Sequence, residues 1–427
     1  MSSAWTIRPP GPVRGTIRPP GSKSITNRAL VCAALARGTS QLAGALDSED
    51  TQVMIAALEQ LGVRTRWQPE GVLEVESPGP QGWRLPQQEP RELFVANSGT
   101  TIRFLTAMLT VAPRGRFRLD GIPRMRKRPI GHLALALNQL GAQVRTQEGF
   151  PPVEVIASGL PGGEATVQGN ISSQFLSGLL MAAPAAQGQV TLRVQGELVS
   201  RPYVEMTLRV MEQFGVSVQR EGLSRFVIPP QSYRPGHYQV EPDASAASYF
   251  FAAAAVTGGR VTVEGLGRDS LQGDVRFVDL LERMGCRVRW EPQRVSVSGG
   301  PLRGIRADMN PISDTVPTLA AVALFARGTT TITGVEHIRH KETDRIAAVA
   351  AELRKLGAAV EELPDGLRIT PPTEPRPAQV ATYNDHRMAM SFAVAALCIP
   401  GVQILDPGCV EKTYPRFFQD LERLLGV

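Results

Sequence analysis

Cysteine, histidine and aromatic residues are all scarce in this chain. Its four cysteines, Cys32, Cys286, Cys398 and Cys409, show no C-x-x-C spacing. That argues against a zinc ribbon or a disulfide framework and for a reducing, cytoplasmic setting. Among five histidines, only His337 and His340 stand at H-x-x-H spacing. Arg339 and Lys341 surround that pair, and cations disfavour a divalent ion, so neither a metal nor a cofactor is expected. Aromatics are 6% of the residues, too few to interleave with basic runs as a nucleic-acid groove requires. Missing too is any apolar run of the ~20 residues that cross a bilayer; the longest extends only from Tyr249 to Val256. Met1 to Pro10 has no apolar core and does not read as a secretory signal. Neither a membrane nor a nucleic acid is expected as a partner.

What is present is length, glycine, proline and a small basic surplus. A chain of 427 residues exceeds one hydrophobic core, so two or three domains are expected. The net charge is +6, yet the one dense basic cluster is "RMRKRP", Arg124 to Pro129. A site for small anions explains that surplus more simply than nucleic acid does. For Arg124 and Arg126 a solvated charge run is the plainer reading.

Internal repetition organises the whole chain. Six segments share a small polar cluster, an apolar stretch and a glycine: "SKSITNRALVCAALARG", "NSGTTIRFLTAMLTVAPRG", "SSQFLSGLLMAAPAAQG", "DASAASYFFAAAAVTGG", "SDTVPTLAAVALFARG" and "NDHRMAMSFAVAALCIPG". Short β-branched runs such as "QVTLRV" and "TTTITG" follow. Five copies then show a second helix ending in Leu-Gly or its like and a further strand, and the sixth stops at "LERLLGV". Each copy reads as a β-α-β-α-β module whose first helix is buried all round. The second is amphipathic: in "DVRFVDLLERMG", Val275, Val278, Leu281 and Met284 recur at helical spacing.

In every copy the polar cluster falls at the start of the buried helix, where Ser, Thr, Asp and Asn serve as caps. Unpaired N–H groups and the helix dipole favour anions there, by about 0.3–1 kcal/mol at an exposed end. One such end is a weak site; several with added cations make a strong one. Caps occur on nearly all helices, so Ser172 and Ser313 as plain caps remain an equal reading. What exceeds capping is the company: Lys23, Arg28, Arg103, Gln174, Asp314, Asp385 and Arg387 all lie at or near these starts. In "HKETDR", Lys341 and Arg345 are four apart and read as one helical face, and Glu342–Arg345 fits a plain helical ion pair equally well.

The ordered motifs "PGSKSITNRAL", "NSGTTIR", "ISSQFL", "KETDR" and "NDHRMAM" resemble the 5-enolpyruvylshikimate-3-phosphate synthases of the enolpyruvyl transferase family, over essentially the whole chain. The resemblance implies an α/β fold: a two-domain inside-out α/β barrel of six β-α-β-α-β-β units, three per domain. It places residues 1–20 with 240–427 in one domain and 21–239 in the other, with a hinge near 20 and 240 and closure on substrate. It implies transfer of the enolpyruvyl group of phosphoenolpyruvate to the 5-hydroxyl of shikimate 3-phosphate, on the route to chorismate, by a monomer without cofactor. The sister UDP-N-acetylglucosamine enolpyruvyl transferases carry Lys-Asn in the opening motif and a cysteine in the mobile loop. Here Lys23 precedes Ser24, and "GIPRMRKRPIGHL" has no cysteine. A nucleic-acid-binding scaffold on the same repeat, or an anion binder without turnover, are the readings outside this chemistry.

Carried over residue by residue, the resemblance implies that Lys23 touches both substrates, and that Ser24, Arg28, Ser172, Ser173, Gln174, Ser200, Tyr203, Asp314, His337 and Lys341 contact shikimate 3-phosphate. Tyr203 serves equally as a buried core residue. Phosphoenolpyruvate falls to Lys23, Asn97, Gly99, Arg128, Gln174, Arg345, Arg387 and Lys412; the planar arginine fork suits its carboxylate and phosphate. Asp314 is the implied proton acceptor and Glu342 the donor to carbon, with Lys23 stabilising charge on the attacking hydroxyl. His337 stands where family members often place another polar residue, and Phe104 follows Arg103 where proline is usual. Gly99 leaves room for a bulkier phosphoenolpyruvate mimic such as glyphosate.

Overall fold

A computed structural model describes residues 4–8, 11–86 and 89–426; the first residues of the Met1–Pro10 stretch and the last of "LERLLGV" lie outside these. The chain divides into two compact units, Gly21–Val240 and the pair Met1–Pro20 with Glu241–Val427. No described helix is long and apolar enough to cross a membrane.

The Gly21–Val240 unit holds α1 (Lys23–Leu35), α2 (Glu49–Gln60), α3 (Gly99–Leu109), α4 (Gly131–Gln139), α5 (Ser173–Ala182) and α6 (Arg201–Gln213). The other holds α7 (Ala244–Thr257), α8 (Phe277–Met284), α9 (Val316–Ala323), α10 (Arg345–Lys355), α11 (His386–Ala396) and α12 (Phe417–Leu425). Odd-numbered helices are the buried ones: every residue of α3, α9 and α11 is out of solvent. Small residues make this tolerable, since the alanines of α7 bury with little side-chain entropy lost. Even-numbered helices face outward on one side. In α8, Val278, Leu281 and Met284 are fully buried, whereas Val275 belongs to the 3₁₀ turn Gly273–Arg276 before it. Gly285 ends α8 at φ 116°, which a side chain would resist and which closes the helix as the Met-Gly signature predicts.

The strands follow one plan. A parallel pair brackets each buried helix: Arg91–Phe94 with Gly115–Asp120 around α3, Gly163–Gln168 with Val190–Gln195 around α5, Arg306–Asp308 with Thr330–Thr333 around α9. Gln379–Val380 with Gln403–Leu405 does the same around α11. Antiparallel strands then extend each sheet; in the α11 sheet that strand is Ala4–Thr6, from the other end of the chain. Two strands are exchanged. Arg14–Ile17 precedes α1 but pairs with Arg260–Glu264, and His237–Gln239 precedes α7 but pairs with Arg37–Ala43. The chain therefore passes from one unit to the other just after each of these strands, at Pro20 and Val240. Gly21 is forced by this path, because a Cβ there would collide with the backbone of Gly44.

Candidate active site

In the Gly21–Val240 unit, three buried helices begin on capped serines. Ser22 accepts from the Ile25 N–H, Ser98 from Thr101 and Ser172 from Gln174. Each such cap contributes about 1 kcal/mol. Side chains tie the starts together: Asn27 Nδ2 donates to Thr100 Oγ1 at 2.9 Å, and Arg103 Nη1 to Gln174 Oε1 at 2.7 Å. Lys23 opens α1 with its ammonium 3.0 Å from Asp50, in the first turn of α2. Ser173 is buried beside the cap Ser172.

Arg28, one turn after Ser24, is fully buried. Its Nε donates to Thr207 Oγ1 at 2.7 Å, Nη1 to the Ser24 carbonyl at 2.9 Å, and Nη2 to the Tyr203 carbonyl and Ser177 Oγ. The Phe104 ring lies 5.1 Å from its Cζ and that of Tyr203 5.9 Å. Phe104 thus has a structural task where proline is usual: its π-face supports the guanidinium. Burial draws the Arg28 pKa down to about 10, so it stays a cation at neutral pH. Among the described residues its hydrogen-bonding partners are neutral oxygens. A buried cation so placed favours an incoming anion.

The basic cluster divides as its pattern implied. Arg126 is exposed and paired to Asp120, while Arg128 is buried and donates to the Asn97 carbonyl at 2.8 Å. Gly99 makes the Arg128 seat possible, because a Cβ there would lie 2.8 Å from Arg128 Cζ and 3.0 Å from Arg103 Nη1. Ser200 caps α6 in a left-handed conformation, φ 52°, without a side-chain bond to the helix, and Tyr203 lies in the first turn.

The second unit repeats the design with carboxylates. Asp243 caps α7 and Asp385 caps α11. The fifth start departs from the expected cap: residues Asn310–Thr315 form a 3₁₀ turn, α9 begins after it, and Ser313 is hydrogen-bonded to His337 Nε2 at 2.9 Å instead. The helix expected through "HKETDR" is also shorter than its spacing suggested. Asp344 accepts from the Ala347 N–H and starts α10 at Arg345, leaving Lys341 and Glu342 in a bend before it. They meet Arg345 nonetheless. Asp314 Oδ1 takes Lys341 Nζ at 2.6 Å and Arg345 Nη1 at 3.1 Å, and Oδ2 takes Arg387 Nη2 at 2.7 Å. Arg345 also donates to Glu342 at 2.7 Å and to Asp385 at 2.8 Å. Three cations thus face three carboxylates, nearly all buried.

That balance fixes protonation. Although burial opposes ionisation, Arg387, Lys341 and Arg345 together hold the Asp314 carboxyl well below the ordinary range. Arg345 is raised by its carboxylates against burial, and Lys341 is lowered by burial. Asp274, bonded to the Ser245 hydroxyl, is pushed the other way, to about 6, by burial and by facing Asp314. His337 falls to about 3 through burial and Lys341, and is neutral. Its folded pKa lies below the unfolded value near 6.5, so acid favours the unfolded chain between those limits. His337→Asn is expected to flatten the stability loss between pH 6 and 4, measured as urea midpoints; an unchanged slope would contradict this.

Lys412 is buried at the end of the 3₁₀ turn Pro407–Lys412, and His386 is fully buried beside Asp385. Asp274 and Tyr249 went unread in the sequence. Tyr249 stands within an apolar run, where only the contact of its hydroxyl with Arg387 Nη1, at 3.3 Å, reveals it. No group of three or more His, Cys, Asp or Glu side chains among the described residues could hold a metal.

Comparison with known proteins decides the family. The sequence model of EPSP synthase (3-phosphoshikimate 1-carboxyvinyltransferase) matches residues 7–421. The chain belongs to the EPSP synthase family. A 3-phosphoshikimate 1-carboxyvinyltransferase of Cronobacter sakazakii is 48% identical, over 99% of both chains. That of Vibrio cholerae is 49% identical, over 98% of this chain and 99% of its own. The solved EPSP synthase of Acinetobacter baumannii superposes with a TM-score of 0.80 at 27% identity, covering 99% of this chain and 97% of that one. Within the EPSP synthase family, then, this chain carries its cations and carboxylates on the starts of buried helices.

Proposed function

We propose that the chain is a transferase that moves the enolpyruvyl group of phosphoenolpyruvate to the 5-hydroxyl of shikimate 3-phosphate. The observation that carries the mechanism is that Asp314 and Glu342, two buried carboxylates, share Arg345. On this reading the fold is an inside-out α/β barrel of six units, three in each domain. The domains are residues 1–20 with 240–427 and residues 21–239, with a hinge near 20 and 240.

Lys23, Ser24, Arg28, Ser172, Ser173, Gln174, Ser200, Tyr203, Asp314, His337 and Lys341 take shikimate 3-phosphate. Lys23, Asn97, Gly99, Arg128, Gln174, Arg345, Arg387 and Lys412 take phosphoenolpyruvate. The substrate hydroxyl adds to C2 of phosphoenolpyruvate while a proton reaches C3, giving a tetrahedral intermediate. A proton then leaves C3 as the C2–O bond to phosphate breaks. Asp314 accepts the hydroxyl proton and Glu342 serves C3 in both directions. As a triple ion pair Asp314 is a poor base. Phosphoenolpyruvate, by competing for Arg345 and Arg387, weakens two of the three pairs and restores its basicity.

Purified protein with both substrates is expected to release phosphate without added metal or nucleotide. Release with UDP-N-acetylglucosamine but not with shikimate 3-phosphate would transfer the assignment to the sister activity. Gly99→Ala displaces only the flexible end of Arg128. The fold should therefore persist while the KM for phosphoenolpyruvate rises roughly tenfold, as for a lost hydrogen bond to a charged group. An unchanged KM would remove Arg128 from that substrate.

A further inference from the structure

The segment that delivers Asp385 and Arg387 is a tight turn of unusual make-up. The Asp385 N–H donates to the Thr382 carbonyl at 2.9 Å, and both central residues, Tyr383 and Asn384, are left-handed, at φ 55° and 53°. Turns of this kind favour glycine, asparagine or aspartate at both places, and tyrosine at the first is strained. Something must hold it.

The holder is Glu352. Its side chain is fully buried on α10, two turns after Arg345 and on the same face. Oε1 accepts from the Tyr383 hydroxyl at 2.6 Å, Oε2 from the Ala381 N–H at 3.1 Å, and Lys355 Nζ donates to both at 2.8 Å. Thus α10 grips the turn twice: Glu352 takes its entry, and Arg345 takes Asp385 at its exit. Asp385 in turn accepts from the Arg387 backbone at 2.9 Å, and the Arg387 guanidinium lies 2.7 Å from Asp314.

We propose that Glu352 and Tyr383 are positioning residues, which hold the Thr382–Asp385 turn in its left-handed form and thereby set where Arg387 presents its guanidinium. Neither belongs to the set that meets substrate. Lys355 balances the buried charge of Glu352, and the Tyr383 hydroxyl, its pKa raised to about 12 by burial and by Glu352, remains a donor across the working pH range. The inference rests on the reading of Arg387 as a phosphoenolpyruvate contact, and it makes the clamp specific to that substrate.

Steady-state kinetics of Tyr383→Phe, Glu352→Gln and Arg387→Gln, varying each substrate in turn, test this. Tyr383→Phe removes one hydroxyl from a residue that is 42% exposed, so the fold should survive even if Glu352→Gln proves unstable. The expected result is a roughly tenfold rise in the KM for phosphoenolpyruvate, the worth of a hydrogen bond to a charged acceptor. The KM for shikimate 3-phosphate should stay within about twofold, because a local turn does not reach residues it does not touch. A general loss of stability would move both constants together and would overturn the proposal. If Arg387→Gln raises the phosphoenolpyruvate KM and Tyr383→Phe leaves it unchanged, the clamp alone is refuted. If Arg387→Gln itself leaves it unchanged, the underlying site reading falls and the clamp with it.

Discussion

Asp314→Asn is expected to lower turnover by about 10²–10⁴, the usual worth of a positioned general base. It should also weaken the fold. The carboxylate accepts three cations in a nearly dry setting, and removing one partner of such a buried cluster costs roughly 3 kcal/mol. The two effects separate by pH. Asp314 has a folded pKa depressed below its unfolded value, so its stabilisation is complete above about pH 4 and fades as pH falls through the folded pKa. Denaturant midpoints of the two proteins should therefore differ at pH 7 and converge only in strong acid. A constant gap down to pH 2 would mean that Asp314 is not the ionised centre of the cluster. Near-normal turnover in the variant would remove it as proton acceptor.

Glu342→Gln should separate binding from chemistry. Arg345 keeps Asp385 and Asp314 as partners, and the glutamine oxygen can still accept from it, so the fold and the arginine should remain in place. What is lost is a proton for C3. Turnover should fall by about 10²–10⁴, while calorimetric binding of shikimate 3-phosphate stays near that of the parent. Equal loss of binding and turnover would make Glu342 only a holder of Arg345.

Local features of the site were legible in the sequence, and long-range ones were not. Serine and aspartate caps depend on residues two or three apart, and Ser22, Ser98, Ser172, Asp243 and Asp385 stand where the repeats put them. The split between Arg126 and Arg128 was readable because only the latter lies in a motif. The "HKETDR" face failed because spacing alone was trusted, although Asp344 signals a cap. Ser313 failed for a different reason: a histidine 24 positions away claims its hydroxyl. Pairs such as Lys341 with Asp314, or Tyr383 with Glu352, span 27 and 31 positions and leave no periodic trace. Glu352 in "ELRKL" reads as a surface residue, and only the fold shows it to be buried.

The most direct measurement of the chemistry is turnover in deuterium oxide, with the vinyl methylene of the product read by mass spectrometry. Addition followed by elimination, with Glu342 exchanging its proton with solvent, predicts deuterium in that methylene group, and none formed by Glu342→Gln. Product appearing at the normal rate with an unlabelled methylene would contradict proton delivery to carbon, and with it the division of labour between the two carboxylates.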